Sequence, residues 1–350
     1  MPQSEALLIK NEGEVRYVAC PAGVEWRDSP AESALFSIHH LLIQLASKEG
    51  LPSPKALMSR VDRAAIAVAG TDSRFSSTRF LNALQQAGFP QNVMRLTSLS
   101  EAAHLGCFLG RPGILVRCGH GSSVFVKGND GKTSLVGGWG GMVGDHGSGA
   151  WIGKKALAAV ARAVDGSASS EETQFAQALV QAAVGLESVP LTYLFEEMEV
   201  SRSFGGNLAV RIYLTKLASN VLGLAESGDA CAAILADRAQ QHLVAMVGTA
   251  LSKTCHDGSL LSIGLRGSLF TSHQRFAGQV LQKLTREHKY ARIPDGGSNG
   301  RHSPLVGLGL LALNCSEPDE IASIGEGFLA SVSQQDWARS LPDSLAALEM

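Results

Sequence analysis

Trp139 and Asp145 are the two side chains in this sequence whose surroundings best suit ligand chemistry. Both lie in a glycine-rich stretch, VGGWGGMVGDHGSGAWIGKKAL, which covers residues 136–157. Glycine allows the backbone to adopt positive φ and to approach another group closely. An indole ring offers a flat apolar face that suits the C–H face of a sugar ring, and a carboxylate accepts hydrogen bonds from hydroxyls. The stretch therefore predicts a sugar-binding loop whose contact residues are Gly138, Trp139, Gly140 and Asp145.

The same residues also have an interpretation without a ligand. Glycine-rich turns occur in proteins that bind nothing there, and Asp145 precedes a predicted helix whose N-terminus it could cap. A second turn of small residues has the same ambiguity; it consists of Gly119, His120, Gly121 and Ser122. The backbone N–H groups of such a turn can cradle a phosphate, but plain hairpins have the same composition. At both the glycine-rich stretch and the 119–122 turn, the residues are compatible with a ligand site and with a purely structural turn.

The N-terminal part of the chain alternates strand-like and helix-like segments. In order, the patterns predict a hairpin over 6–20, a helix from about Ser29 to Lys48, a strand at Ala64–Ala69, a helix at Ser77–Ala87, a strand at Val93–Leu96 and a helix at Ser98–Leu109. The spacing of Ser98 and Glu101 is that of a capping box at the start of the last helix. Such alternation is typical of an α/β layer.

The pattern changes after residue 112. Three short strands with glycine turns, over 113–117, 122–127 and 134–137, predict an antiparallel meander. The remainder is mostly helical: the predicted helices cover 150–165, 171–185, 190–197, 207–227, 229–254, 272–288, 304–313 and Ile321–Val332, and one strand interrupts them at Leu260–Ile263.

Composition narrows the class of protein. The chain has 350 residues and a formal net charge of −2, and this length favours two domains. Lysine and arginine are scattered, which argues against a nucleic-acid partner. Apolar stretches are shorter than the roughly 20 residues of a membrane span, and no signal sequence is visible. Six widely spaced cysteines indicate reduced thiols and no zinc site, so we expect a cytoplasmic protein with no structural metal.

The meander and the glycine-rich stretch together resemble the N-acetylglucosamine kinase and BadF-type ATPase family. The family pattern G-G-W-G-x-x-x-G-D-E-G-S-x-x-W-I-G is matched over residues 137–153, with His146 in place of its Glu. Weaker matches follow in the family's order: AESGDA at 225–230, IGLRGS at 263–268, and PLVG at 304–307. The resemblance covers about residues 6–315.

The resemblance implies a fold and a set of site residues. The fold is α/β, a two-lobed ribonuclease-H-like actin/hexokinase fold with a largely helical second lobe. The expected division is 1–112 for the N-terminal lobe, 113–315 for the lobe with the sugar loop and the nucleotide-side helices, and 316–350 for a C-terminal helix and tail. The resemblance places the nucleotide phosphates and adenosine at two turns, whose residues are Gly119, His120, Gly121, Ser122, Gly264 and Gly267.

The sequence departs from the family at two places that matter for catalysis. The family opens with a strand and a D-G-G-G-T-K-T turn that grips the phosphates and Mg²⁺; residues 6–20 resemble the second strand and hairpin, as though the first strand were missing. The family's catalytic Asp lies at a helix start where this chain has Leu99, and Glu101 is the nearest carboxylate. His120 also replaces the Thr of the family's G-T-G-S turn. Without the phosphate grip and the base, phosphoryl transfer should be very slow.

Three functions follow as alternatives. The first is an N-acetylglucosamine-kinase-like protein that binds an amino sugar in the interlobe cleft and acts as a sensor or partner subunit, with no cofactor required. The second is an active kinase that uses ATP and Mg²⁺, with Glu101 or another carboxylate as its base. The third is a non-catalytic scaffold paralogue. For each we expect a homodimer that contacts neither nucleic acid nor membrane.

Overall fold

The computed structural model describes most of the chain. The described residues are 4–9, 15–20, 31–68, 70–71, 74–90, 93–186, 189–254, 261–287, 291–292, 304–313, 315, 318–323 and 328–329. The chain divides into two compact units, Met1–Gly113 with Asn299–Ser344, and Ile114–Ser298 with Leu345–Met350.

The first unit is an α/β arrangement built around two small sheets. Its elements in chain order are β1 Ser4–Ile9, β2 Val15–Cys20, α1 Ala31–Lys48, α2 Pro54–Met58, β3 Ala64–Ala67, α3 Arg74–Gln86, β4 Met94–Thr97, α4 Leu99–Phe108, α11 Pro304–Ala312 and α12 Pro318–Ser323. β1 and β2 form an antiparallel hairpin, as predicted. β3 and β4 pair in parallel, which requires the crossover that α3 provides.

The second unit has one sheet and a helical layer. Its elements are β5 Gly113–Cys118, β6 Ser122–Lys127, β7 Thr133–Gly137, α5 Gly149–Val164, α6 Ser170–Val184, α7 Tyr193–Glu226, α8 Ala230–Ser252, β8 Leu261–Arg266, α9 Ser268–Ser272, α10 Gln274–Glu287 and β9 Ala291–Arg292. The strand order is β7-β6-β5-β8-β9. The three strands of the predicted meander are therefore neighbours in this sheet, and β6 and β7 are antiparallel. β8 lies beside β5.

Close packing between α5 and α7 fixes the base of the site. A Cβ added at Gly153 on α5 would lie 2.0 Å from the backbone oxygen of Leu214 on α7, so only glycine fits there. α7 itself is interrupted, because Gly205 and Gly206 have non-helical φ and ψ. The sequence predicted two helices, over 190–197 and 207–227; the second is confirmed, but the first continues beyond residue 197 as far as the break at Gly205 and Gly206.

Among the described residues, α7 is the one helix whose length and hydropathy would allow it to cross a membrane. Its second half packs into the core of this unit, where Leu217 and Val221 are buried. The part of α7 that follows the break at Gly205 and Gly206 therefore belongs to the core of this unit.

Four predictions about this architecture need correction or qualification. The predicted helix over 272–288 is present as α10, but the short helix α9 before it was not predicted; His273 between the two has non-helical backbone angles. The predicted lobe 113–315 ends earlier, because α11 packs against α4: a Cβ at Gly307 would lie 1.9 Å from the oxygen of Ala102. Residues 29–30 of the first predicted helix lie outside the described residues. So does most of the predicted helix Ile321–Val332, beyond α12 and residues 328–329.

The cysteines that the structure describes are free thiols, as predicted. Cys107, Cys118 and Cys315 are buried, and Cys231 is partly exposed. Burial, and secondly the charge of Asp145, raise the pKa of the Cys118 thiol far above its usual range. The side chains of Cys20 and Cys255 lie outside the described residues.

Candidate functional site

The loop between β7 and α5, residues 138–148, is called the glycine loop here. Trp139 within it is 68% exposed, so its ring is not part of the core. The loop passes close to α8, because a Cβ at Gly147 would lie 2.5 Å from the oxygen of Ala239. Gly147 also has a φ of +79°, so both the close approach to α8 and the backbone angle require glycine there. The loop is thus held in place at one end while Trp139 presents an open aromatic face.

Asp145 is the buried anchor of the glycine loop. It has a left-handed φ of +54° and is 4% exposed. Its Oδ1 accepts a hydrogen bond from the Ser122 backbone N–H at 3.3 Å. The interpretation of Asp145 as a helix cap is wrong, because the Oγ of Ser148 accepts the hydrogen bond from the Trp151 N–H at 3.1 Å and so caps α5.

Arg211 on α7 forms an ion pair with Asp145. Its Nη2 donates to Oδ2 at 3.0 Å, and the two side chains are 11% and 3% exposed. A Cβ at Gly121 would lie 2.9 Å from Asp145 Oδ2 and 3.0 Å from Arg211 Nη2. The turn at Gly121 therefore packs directly against the pair. This partner was not predictable from the sequence, because Arg211 lies 66 positions from Asp145 on a helix with no local motif.

The turn between β5 and β6, residues 119–122, is tied to the same loop. The N–H of Gly119 donates to the oxygen of Gly121 at 2.9 Å, and the N–H of Gly149 donates to the oxygen of Gly119 at 2.8 Å. The hydroxyl of Ser122 donates to the oxygen of His146 at 2.8 Å. Gly149, the first residue of α5, and the glycine loop thus fix the conformation of this turn.

His120 points from this turn toward α7. Its Nδ1 lies 2.9 Å from the hydroxyl oxygen of Thr215. Burial, and secondly the positive charge of Arg211, lower the pKa of the imidazole below its ordinary value. His120 is therefore neutral at pH 7.

The two turns that the sequence placed on the nucleotide side lie against each other. Gly267 follows β8 with a φ of +118°, and a Cβ there would lie 2.2 Å from the oxygen of Cys118 at the end of β5. A Cβ at Gly119 would lie 3.1 Å from the hydroxyl of Ser268. Gly264, however, lies inside β8 and not in the turn that was predicted for it.

Leu99 and Glu101 belong to the first unit, at the start of α4. Leu99 is the first helical residue and is half-buried, and its side chain cannot accept a proton. Glu101 accepts a hydrogen bond from the Thr97 hydroxyl at 2.5 Å and lies 3.6 Å from Arg95 Nη2. The Ser98 hydroxyl oxygen caps the helix by accepting from the Glu101 N–H at 2.9 Å, as the spacing of these residues predicted.

Part of the hydrogen-bonding capacity of the 119–122 turn is already used within the second unit. Two of the N–H groups of the 119–122 turn, those of Gly119 and Ser122, already donate within the protein. The carboxylate of Asp145 faces the guanidinium of Arg211, which supplies the positive charge that a cation would otherwise bring. The described residues also contain no cluster of three or more side chains suited to hold a metal ion.

Comparisons with known proteins agree with this architecture. The family model described as the BadF/BadG/BcrA/BcrD ATPase family matches residues 5–301. An N-acetylmuramic acid/N-acetylglucosamine kinase from Clostridium acetobutylicum is 28% identical over 124 residues, which are 35% of this chain and 40% of that protein. The match thus spans about two-fifths of that relative's length.

Two solved structures share the fold. A proposed N-acetylglucosamine kinase from Chromobacterium violaceum has a TM-score of 0.54 at 22% identity, covering 89% of this chain and 99% of that one. A second, from Porphyromonas gingivalis, has a TM-score of 0.53 at 16% identity, covering 86% and 92%. The α/β fold of the actin/hexokinase type that the sequence predicted is confirmed.

Proposed function

The chain belongs to the BadF/BadG/BcrA/BcrD ATPase family, and from that premise we propose that it is an N-acetylglucosamine-kinase-like protein that binds an amino sugar and transfers phosphate very slowly or not at all. The sugar site is the glycine loop, with Trp139 covering the apolar face of the ring and Asp145 accepting hydroxyl hydrogen bonds beside Gly138 and Gly140. N-Acetylglucosamine is the first ligand to test, because the relatives are named for it.

The observation that carries this proposal is the contrast between Trp139 and Asp145 within one loop. An aromatic side chain that is 68% exposed gains little from folding, whereas the carboxylate of Asp145 in the same loop is 4% exposed and accepts hydrogen bonds from Ser122 and Arg211. An exposed indole on a fixed backbone is the arrangement that sugar stacking requires. A carboxylate only accepts hydrogen bonds and has about four acceptor positions, which suits Asp145 to the hydroxyl donors of a sugar.

The proposal of weak phosphoryl transfer rests on the first unit and on the 119–122 turn. Leu99 stands where the resemblance places the catalytic Asp, and Glu101 is already engaged by Thr97 and Arg95. A missing general base costs about 10²–10⁴-fold in rate. We therefore propose that the protein acts in the cytoplasm as a sugar sensor or partner subunit, as a homodimer.

Thermal-shift titrations with N-acetylglucosamine, glucosamine and ATP–Mg²⁺, each added alone, test this function. Stabilisation by an amino sugar without a response to ATP–Mg²⁺ supports the proposal, because only a ligand that binds the folded state raises the melting temperature. A response to both ligands favours an active kinase with Glu101 or another base. No response to either sugar rejects the sugar site.

A further inference from the structure

The hydrogen bonds around Thr215 determine which nitrogen of His120 carries a proton. The Thr215 hydroxyl donates to the backbone oxygen of Arg211, 2.8 Å away and one helical turn earlier. A hydroxyl has one proton and two lone pairs. If that proton were directed at His120, the oxygens of Thr215 and Arg211 would face each other at 2.8 Å with no proton between them. The Nδ1 of His120, 2.9 Å from Thr215, must therefore be the donor.

The remaining nitrogen of His120, Nε2, then has a lone pair in the neutral ring. A histidine's tautomer is set by the hydrogen bond that its other nitrogen makes. Among the described residues, the charged group that acts on this ring is Arg211 on α7, which is itself paired with Asp145 of the glycine loop. The Arg211 charge and burial lower the imidazole pKa, so the neutral form prevails at pH 7.

We propose that His120 determines the ligand specificity of the 119–122 turn, because its Nε2 accepts a hydrogen bond from a hydroxyl or amino group of the ligand and repels phosphate oxygens. This deepens the proposed function, on which it rests, since the turn then recognises sugar hydroxyls where the family's G-T-G-S turn has a threonine. A threonine hydroxyl can donate to phosphate, whereas a neutral Nε2 and a phosphate oxygen both present lone pairs. The imidazolium form, in contrast, donates from both nitrogens and would accept phosphate.

The tautomer can be measured on the unmodified protein, without any ligand. Long-range ¹H–¹⁵N correlation spectra of the histidine rings should show His120 protonated at Nδ1 in neutral solution. Thr215→Val should abolish the preference for Nδ1. The matched control is Thr249→Val, since the Thr249 hydroxyl makes the same bond, to the oxygen of Ala245 at 3.0 Å, on the exposed face of α8. A wild-type ring protonated at Nε2, or a Thr215→Val spectrum identical to wild type, overturns the proposal.

Calorimetry with pyrophosphate tests the consequence for specificity. At about pH 8, His120→Thr should bind pyrophosphate about tenfold more tightly than wild type, because a donor replaces a lone pair. Equal affinities of wild type and His120→Thr at about pH 8 overturn the proposal. Pyrophosphate reports on the turn alone, so this failure would be distinct from a failure of sugar binding.

Discussion

Arg211 and Asp145 form a nearly buried ion pair, with 3.0 Å between Nη2 and Oδ2, that joins α7 to the glycine loop. Asp145 also accepts from the Ser122 N–H, so one carboxylate connects the loop, the 119–122 turn and the helix. The position of Trp139 in the same loop therefore depends on a helix that lies far along the chain. The proposed sugar site is built from three segments, and this pair is the contact that they share.

Breaking this pair should cost far more stability than breaking an exposed pair in the same unit. Arg211→Met leaves the Asp145 carboxylate buried without its cation, and loss of one partner from a buried pair costs about 3–5 kcal/mol. The control is Glu172→Gln, because Arg162 and Glu172 form a pair at 2.7 Å whose side chains are 46% and 32% exposed. Such a pair contributes at most about 1 kcal/mol. Urea unfolding measures the loss of unfolding free energy in each variant. Equal losses in Arg211→Met and Glu172→Gln would show that the Asp145 pair does not hold the loop.

Two helix glycines should respond in opposite directions to the same substitution. Gly153→Ala places a Cβ 2.0 Å from the Leu214 oxygen and should destabilise the fold by about 2 kcal/mol or more, since α5 and α7 must separate. Gly223→Ala on α7 meets nothing within 4 Å, and should stabilise by about 0.5–1 kcal/mol. Thermal denaturation distinguishes them. A Gly153→Ala protein as stable as wild type would contradict the close packing of these helices.

The free energy of unfolding should fall as the solution is acidified. Burial is the main cause that lowers the folded-state pKa of His120, and it is also the main cause that lowers the pKa values of His242 and His273. At pH values between those lowered pKa values and the ordinary 6.5, the unfolded chain binds more protons than the folded protein. The free energy of unfolding therefore keeps its full histidine contribution above pH 6.5 and falls below it. Urea unfolding between about pH 7.5 and about pH 5.5 should show this loss. The slope should be shallower in His120→Gln, and an unchanged slope would mean that His120 is not buried as described.

Kinase turnover should stay far below the ~10 s⁻¹ of an ordinary enzyme. A coupled assay with ATP–Mg²⁺ and N-acetylglucosamine measures it. Leu99→Asp should recover little, because a base alone does not supply the phosphate contacts that the 119–122 turn lacks. Glu101→Gln is the matched variant, since any residual turnover that disappears in it would identify Glu101 as the base. Wild-type turnover on the order of 1 s⁻¹ would refute the proposal of weak transfer.

Local sequence signals predicted the elements well, because each depends on neighbouring residues. The Ser98 cap, the hairpin over 6–20 and the part of α7 that follows the break at Gly205 and Gly206 all follow from short-range patterns of apolar residues, caps and glycines. The correct cap of α5 was missed, although Ser148 stands three residues before Trp151 in the usual spacing.

The partners of the site residues were not predictable in the same way. Arg211 and Thr215 lie on a helix with no functional motif, and only the folded backbone brings them to Asp145 and His120. The placement of α11 beside α4 was missed for the same reason, because contact between segments distant in sequence leaves no local pattern.

Calorimetric titration of N-acetylglucosamine, without nucleotide, tests the central claim most directly. Wild type should bind the sugar, and Trp139→Ala should bind it about tenfold more weakly, because the stacking face is lost. Phe204→Ala should bind like wild type, since Phe204 is a 90% exposed aromatic residue of the same unit outside the glycine loop. Absence of binding by wild type, or equal affinity in wild type and Trp139→Ala, would contradict the account.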